Sequence, residues 1–162
     1  MFKKPKPLKD PNSADHGYEY AVFLLSLRMR SEGEVRAKMK DRGYTEEVVE
    51  SVAQRLYEQK YLDDSHFAEA YLNTFKQHKT YGYQFIKQKM FQKKLASVLV
   101  EETLNEFLTI EEEILIARRF LEKNFPKYLT DKAKATYQDK QKIAHKLQAR
   151  GFRGQVISKL VF

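Results

Sequence analysis

The chain has 162 residues, 42% of them hydrophobic, no cysteine and a formal net charge of +8. Such a chain can bury a core of its own, but it has neither a disulfide framework nor a thiolate zinc site, and no apolar run approaches the roughly 18 residues that span a bilayer. The excess of positive charge points to polyanions or acidic surfaces as partners and says nothing of the fold.

The four prolines stand at positions 5, 7, 11 and 126, so from Tyr18 onward the chain has few breakers and many helix formers. Apolar residues recur at three and four, as in Val48, Val49, Val52, Ala53 and Leu56, and no long stretch alternates with period two. An all-α fold is expected. Residues 1–15 read as a basic, proline-containing tail without the apolar core of a secretory signal, which makes a cytoplasmic protein with no membrane partner the expectation.

Three segments of the remainder align with one another. Their first helices carry Ala21, Leu24 and Leu25; Ala68, Tyr71 and Leu72; Ala117, Phe120 and Leu121. Second helices carry Val35 and Met39; Ile86 and Met90; Ile143 and Leu147, with Gly43, Lys94 and Gly151 four residues later. Third helices follow in the same register with Val48, Val49 and Val52; Leu99, Val100 and Thr103; Val156, Ile157 and Leu160. The expected organisation is a tandem array of three three-helix units over 16–62, 63–109 and 110–162, with an insert near 125–137 in the last. Units this small bury their apolar faces by stacking, which predicts an elongated array that can curve. Ser31 with Glu34 and Thr109 with Glu112 read as capping boxes, and Gly43 and Gly151 as helix stops.

At the first unit boundary stands YLDDSHFAEAY, Tyr61 to Tyr71. With Asp63 as N-cap, Asp64 lies in the first turn where a carboxylate suits the helix dipole, and Leu62 faces Phe67 as a staple. That suffices to explain the pair. A metal site would need more ligands, and His16, His78 and His145 fall in unrelated phases of the repeat. No metal or other cofactor is expected.

YLDDSHFAEAY resembles the most recognisable segment of the RecX regulatory proteins. The family's Leu-x-x-Arg-x-Arg-Ser opening is similar to Leu25, Arg28, Arg30 and Ser31, and its Lys-Leu-x-x-Lys-Gly pattern to Lys38, Met39, Arg42 and Gly43 and again to Lys146, Leu147, Arg150 and Gly151. Lys94 departs from the pattern where glycine is usual, and the insert FPKYLTDKAKATY leaves the path of the third unit open. The resemblance implies tandem three-helix repeats that bind the RecA recombinase filament on single-stranded DNA and restrain it.

Enzyme chemistry finds no support in HExxH, a Gly-rich phosphate loop or a cysteine nucleophile, and a non-enzymatic role is expected. Charge placement is more informative. Residues 110–162 hold twelve basic against six acidic side chains, and Ala70 to Val100 holds six lysines, no acid and six aromatics that suit either a core or stacked bases. At equivalent offsets in the three second helices stand Lys38 and Arg42, Lys89 and Lys93, Lys146 and Arg150. They read as a basic binding edge or as cations paired with helix C-termini. With Lys87, Lys94 and Arg153 they form the candidate surface for RecA and DNA, to which Arg28, Arg30, Arg36, Tyr81 and Tyr83 are added as further contacts. A monomer is expected that touches single-stranded DNA weakly and in a salt-dependent way when alone. The alternatives are a general nucleic-acid-binding helical protein and a helical scaffold that binds no DNA.

Overall fold

The computed structural model describes Leu8, residues 10–78 and residues 80–162. Every regular element among the described residues is helical. In chain order these are α1 (Ala14–Leu27), α2 (Glu32–Arg42), α3 (Glu46–Glu58), α4 (Asp64–His78), α5 (Tyr83–Gln92), α6 (Ser97–Phe107), α7 (Ile110–Asn124), α8 (Pro126–Thr130), α9 (Tyr137–Ala149) and α10 (Gly154–Val161), with a 3-10 turn at Lys132–Lys134. The expected basic tail lies outside the described residues through Pro7 and at Lys9.

Side-chain caps place several helix starts. Ser13 accepts the His16 N–H and Thr109 forms a full capping box with Glu112. Ser31 accepts the Glu34 N–H, but the expected return bond from Glu34 is not made, because that carboxylate turns to Arg28 instead. Second helices end in left-handed backbone, at Gly43 with φ 102° and Gly151 with φ 79°. Lys94 takes the same conformation with φ 58°, so the chain keeps the stop without the glycine.

By contact the chain divides into two compact units. One takes in the described residues up to Phe67 together with Gln92–Ala96, the other Ala68–Phe91 with Ser97–Phe162. In the first unit α1 and α2 pack on α3 around Ala21, Val35, Met39, Val49, Val52 and Leu56, all buried. Gly17 permits the close approach, since a Cβ there would stand 2.9 Å from Val48 Cγ1.

In the second unit α10 packs on α7 and α9 over Ile116, Ala117, Leu121, Leu147, Val156 and Val161. The insert whose path the sequence leaves open folds as α8 and the 3-10 turn, with α8 against α7. Its anchor is the buried Tyr128, whose hydroxyl donates to the Val161 carbonyl at 3.0 Å. Thr136 and Asp139 then form a capping box that starts α9.

Candidate binding surface

The cations singled out in the three second helices fall into two sets. Lys38 on α2 and Lys146 on α9 are exposed, and among the described residues neither pairs with a carboxylate. Lys89 on α5 is half-buried with its ammonium 5.3 Å from the centre of the Phe85 ring. The later member of each pair is held by neighbours. Arg42 closes α2 with its guanidinium 4.5 Å from the Tyr20 ring centre. Lys93 lies one residue beyond the end of α5 and reaches Glu34 Oε1 at 3.5 Å. Arg150 donates to the Thr80 carbonyl at 3.1 Å and hydroxyl at 3.0 Å, and its guanidinium stands 4.4 Å from the Phe120 ring centre.

Other expected contacts divide the same way. Lys94 is exposed, whereas Lys87 pairs with Glu101 at 2.7 Å and Arg36 binds Glu32 and, at 2.7 Å, Glu50. Arg28 grips both oxygens of Glu34, at 2.9 and 3.0 Å, and Arg30 donates to the Leu24 carbonyl at 3.2 Å. Burial alone would push the Glu34 carboxyl up, but the Arg28 hydrogen bonds and the Lys93 charge outweigh it and hold it below the usual range. Tyr81 stacks on Phe85 with centroids 3.9 Å apart, half-buried, and the Tyr83 hydroxyl donates to Asn105 at 3.3 Å.

Asp63 is the N-cap of α4, its Oδ1 accepting the His66 N–H at 2.9 Å. Asp64 has a task beyond its own helix. Its Oδ1 accepts the Glu32 N–H at 2.8 Å, at the start of α2, and burial in that position pushes its carboxyl up. Ser31 beside it donates its hydroxyl to the Lys93 carbonyl, so the α2 N-terminus is seated between an acid from the next first helix and a carbonyl from the end of the next second helix.

The second unit repeats this joint. Glu113 stands four residues before Ala117 as Asp64 stands four before Ala68. Its Oε1 accepts the Tyr83 N–H at 2.9 Å at the start of α5, while the Gly82 N–H donates to the Arg150 carbonyl at 2.9 Å and the Gln84 N–H to the Gly151 carbonyl at 2.8 Å. Glu113 is fully buried and also binds the Arg153 backbone N–H at 3.0 Å and the Arg153 guanidinium, which donates on to the Leu108 carbonyl at 2.8 Å. Arg153 therefore completes a joint. Read from the sequence, Asp64 serves only its own helix and Glu113 is passed over, although their equal spacing from Ala68 and Ala117 carries the signal.

Repeated helical triplets, joined by an acid that seats each following helix N-terminus and bearing cations on their second helices, define an all-α helical-repeat protein. A sequence model described as RecX, first three-helix domain, matches residues 18–56. The chain is similar to regulatory protein RecX of Haemophilus influenzae (strain PittEE), at 34% identity over 148 residues that cover 89% of this chain and 91% of that protein. It is 35% identical to the Bacillus velezensis RecX over 87% of this chain and 52% of that protein, and 30% identical to the Geobacillus kaustophilus RecX over 87% and 51%. The chain thus spans about half the length of these last two relatives. A crystal structure of RecX from Lactobacillus salivarius superposes with a TM-score of 0.81 at 23% identity, covering 94% of this chain and 95% of that one. Another crystal structure of a regulatory protein RecX gives 0.77 at 26% identity, over 91% and 72%. The chain belongs to the RecX family, a family of regulatory proteins and not a class of enzymes. Among the described residues no helix is long and apolar enough to cross a membrane.

Proposed function

We propose that this chain is a non-enzymatic, cytoplasmic regulator that binds the RecA filament on single-stranded DNA and restrains its ATP turnover and strand exchange. The observation that carries the reading is the pair Lys38 and Lys146, which occupy equivalent positions on α2 and α9, both exposed and, among the described residues, without a carboxylate partner. Lysines left unpaired in this way are available to phosphates or to acids on a protein filament. Lys94, exposed, adds to the cations of the first unit, and Lys89, half-buried beside Phe85, to those of the second. Arg42 and Lys93 in the first unit, and Arg150 and Arg153 in the second, are held by partners within their own units at helix ends.

The test is inhibition of the DNA-dependent ATPase of RecA by Lys38→Glu with Lys146→Glu. Reversing two charges at a polyanion contact should weaken inhibition by about tenfold or more while the melting curve stays in place. Lys3→Glu with Lys4→Glu, outside the described residues, makes the same change of net charge and should leave inhibition nearly intact. Equal losses from both exchanges would mean that only overall charge matters. Binding of labelled single-stranded DNA without RecA should be weak and fall steeply with added salt. Tight, salt-insensitive DNA binding without any effect on RecA would favour a general nucleic-acid binder.

A further inference from the structure

The insert that sets the third helical triplet apart builds a cavity with no counterpart in the sequence of the first two. The hollow, of about 540 Å³, lies between the end of α7, α8 and the 3-10 turn on one side and the first half of α9 on the other, within the second unit. Its apolar wall is Phe125, Tyr128 and Ile143, and Lys127, Lys134 and Lys142 stand at its rim. Phe125 is set edge-to-face against Phe120 with centroids 6.0 Å apart, and Tyr128 is pinned through its hydroxyl to the Val161 carbonyl, so two aromatic rings are fixed in place before any ligand arrives.

Three lysines outnumber the two acids at the cavity. Asp139 is occupied by the Thr136 N–H at 3.0 Å and hydroxyl at 2.7 Å, the capping box of α9. Asp131 lies 3.5 Å from Lys134 on an exposed turn. Among the described residues Lys127 and Lys142 are exposed and make no ion pair within 4 Å, although the Lys142 charge helps to hold the Asp139 carboxyl below its ordinary range after the Thr136 hydrogen bonds. The volume falls within the range of about 300–1,000 Å³ usual for sites that enclose a small organic ligand. An aromatic wall with cations at one edge fits a ligand that is flat and apolar at one end and anionic at the other.

We propose that this cavity binds a nucleotide, with the base against Phe125 and Tyr128 and the phosphate between Lys127 and Lys142. Base-on-aromatic contact with a lysine-bound phosphate is the chemistry shared by a free mononucleotide and by one residue of a single strand. The proposal does not rest on RecA binding.

The test uses the full chain without RecA and titrates thymidine monophosphate, inorganic phosphate, polyglutamate and a short oligothymidylate, followed by NMR shifts of the Ile143 methyl groups. Thymidine monophosphate should saturate, and inorganic phosphate at the same concentration should bind at least about tenfold more weakly, because it lacks the base. Lys142→Glu should weaken nucleotide binding about tenfold or more, and Lys60→Glu, at an exposed lysine of the first unit, should leave it unchanged. Phe125→Ala should weaken it too, and the exposed Lys142 provides the decisive variant if loss of Phe125 unfolds the region. A binding gain for oligothymidylate over the mononucleotide that Lys142→Glu removes assigns the cavity to a strand residue, and equal binding of the two assigns it to a free nucleotide. No saturation by thymidine monophosphate, unchanged binding by Lys142→Glu, or displacement of nucleotide by polyglutamate at this site would overturn the proposal.

Discussion

The two joints, one at the start of α2 and the other at the start of α5, reach the same arrangement through different chemistry. At α2 the seat is a half-buried aspartate and a serine hydroxyl, and the nearby Glu34 gathers Arg28 and Lys93 at a distance from it. At α5 one fully buried glutamate does both tasks, taking the helix N–H and the arginine together, while backbone N–H groups replace the serine. A buried carboxylate held by three donors gives a rigid joint, but its loss is costly; a wetter joint spreads the same charges over more groups and loses less with each.

The sharpest way to break that comparison is to remove the acids one at a time. Glu113→Ala strands the Arg153 guanidinium and the Tyr83 N–H and should cost about 3–5 kcal/mol, the range for one partner of a buried ion pair. Asp64→Ala leaves a helix-end N–H that water can reach and should cost about 1–2 kcal/mol. Urea unfolding of both variants checks the order. Equal costs would mean that the two joints are energetically alike despite their burial.

Much of this architecture was legible in the sequence, and the limits of that legibility are physical. The triplet register of Ala21, Ala68 and Ala117 was readable because core positions recur with the helical period, and Asp63 because an N-cap acts within four residues of its own helix. Local pattern ties Asp64 to the dipole of α4, its nearest helix, and the bond it makes to α2 crosses 32 residues that no such pattern reports. The same holds for the cationic pairs. Sequence spacing puts Lys38 and Arg42 on one helix edge, but whether each such cation faces solvent or a neighbour depends on residues such as Tyr20, Thr80 and Glu34, which come from elsewhere in the chain. The cavity by the insert was invisible because its walls come from α7, α8 and α9 together.

A further contrast sharpens the comparison through glycine, which the first joint places on the seated helix and the second on both partners, as Gly82 and Gly151. At the first, Gly33 of α2 lies beneath Lys94, and a Cβ added there would stand 2.5 Å from the Lys94 carbonyl oxygen. At the second, a Cβ added at Gly151 would meet the Phe85 backbone nitrogen first and stand 2.8 Å from Phe85 Cβ, with φ already at 79°. Gly33→Ala suffers overlap alone, about 1–3 kcal/mol, whereas Gly151→Ala adds about 1–2 kcal/mol of left-handed strain. Thermal melting should rank Gly151→Ala below Gly33→Ala, and the reverse order would show that Lys94 yields less than Phe85 does.

The smallest effect is one of pH, and it separates two acids of the first joint that shift in opposite directions. Glu34 is held below the usual carboxylate range, so the stability it contributes is present above its unfolded pKa and is lost as pH falls through the lower folded value. Asp64 is pushed up, by burial first and then by the Glu32 and Asp63 charges, so its contribution is present below the unfolded value and is lost as pH rises through the folded one. The two slopes partly cancel in the native protein. Asp64→Asn removes only the second, and urea unfolding between about pH 3 and pH 6 should show the variant gaining on the parent as pH rises, by a fraction of a kcal/mol. A parent that instead gains on Asp64→Asn with rising pH would mean that the α2 N-terminus attracts the ionised carboxylate more strongly than burial opposes it, and the first joint would then be an electrostatic seat like the second.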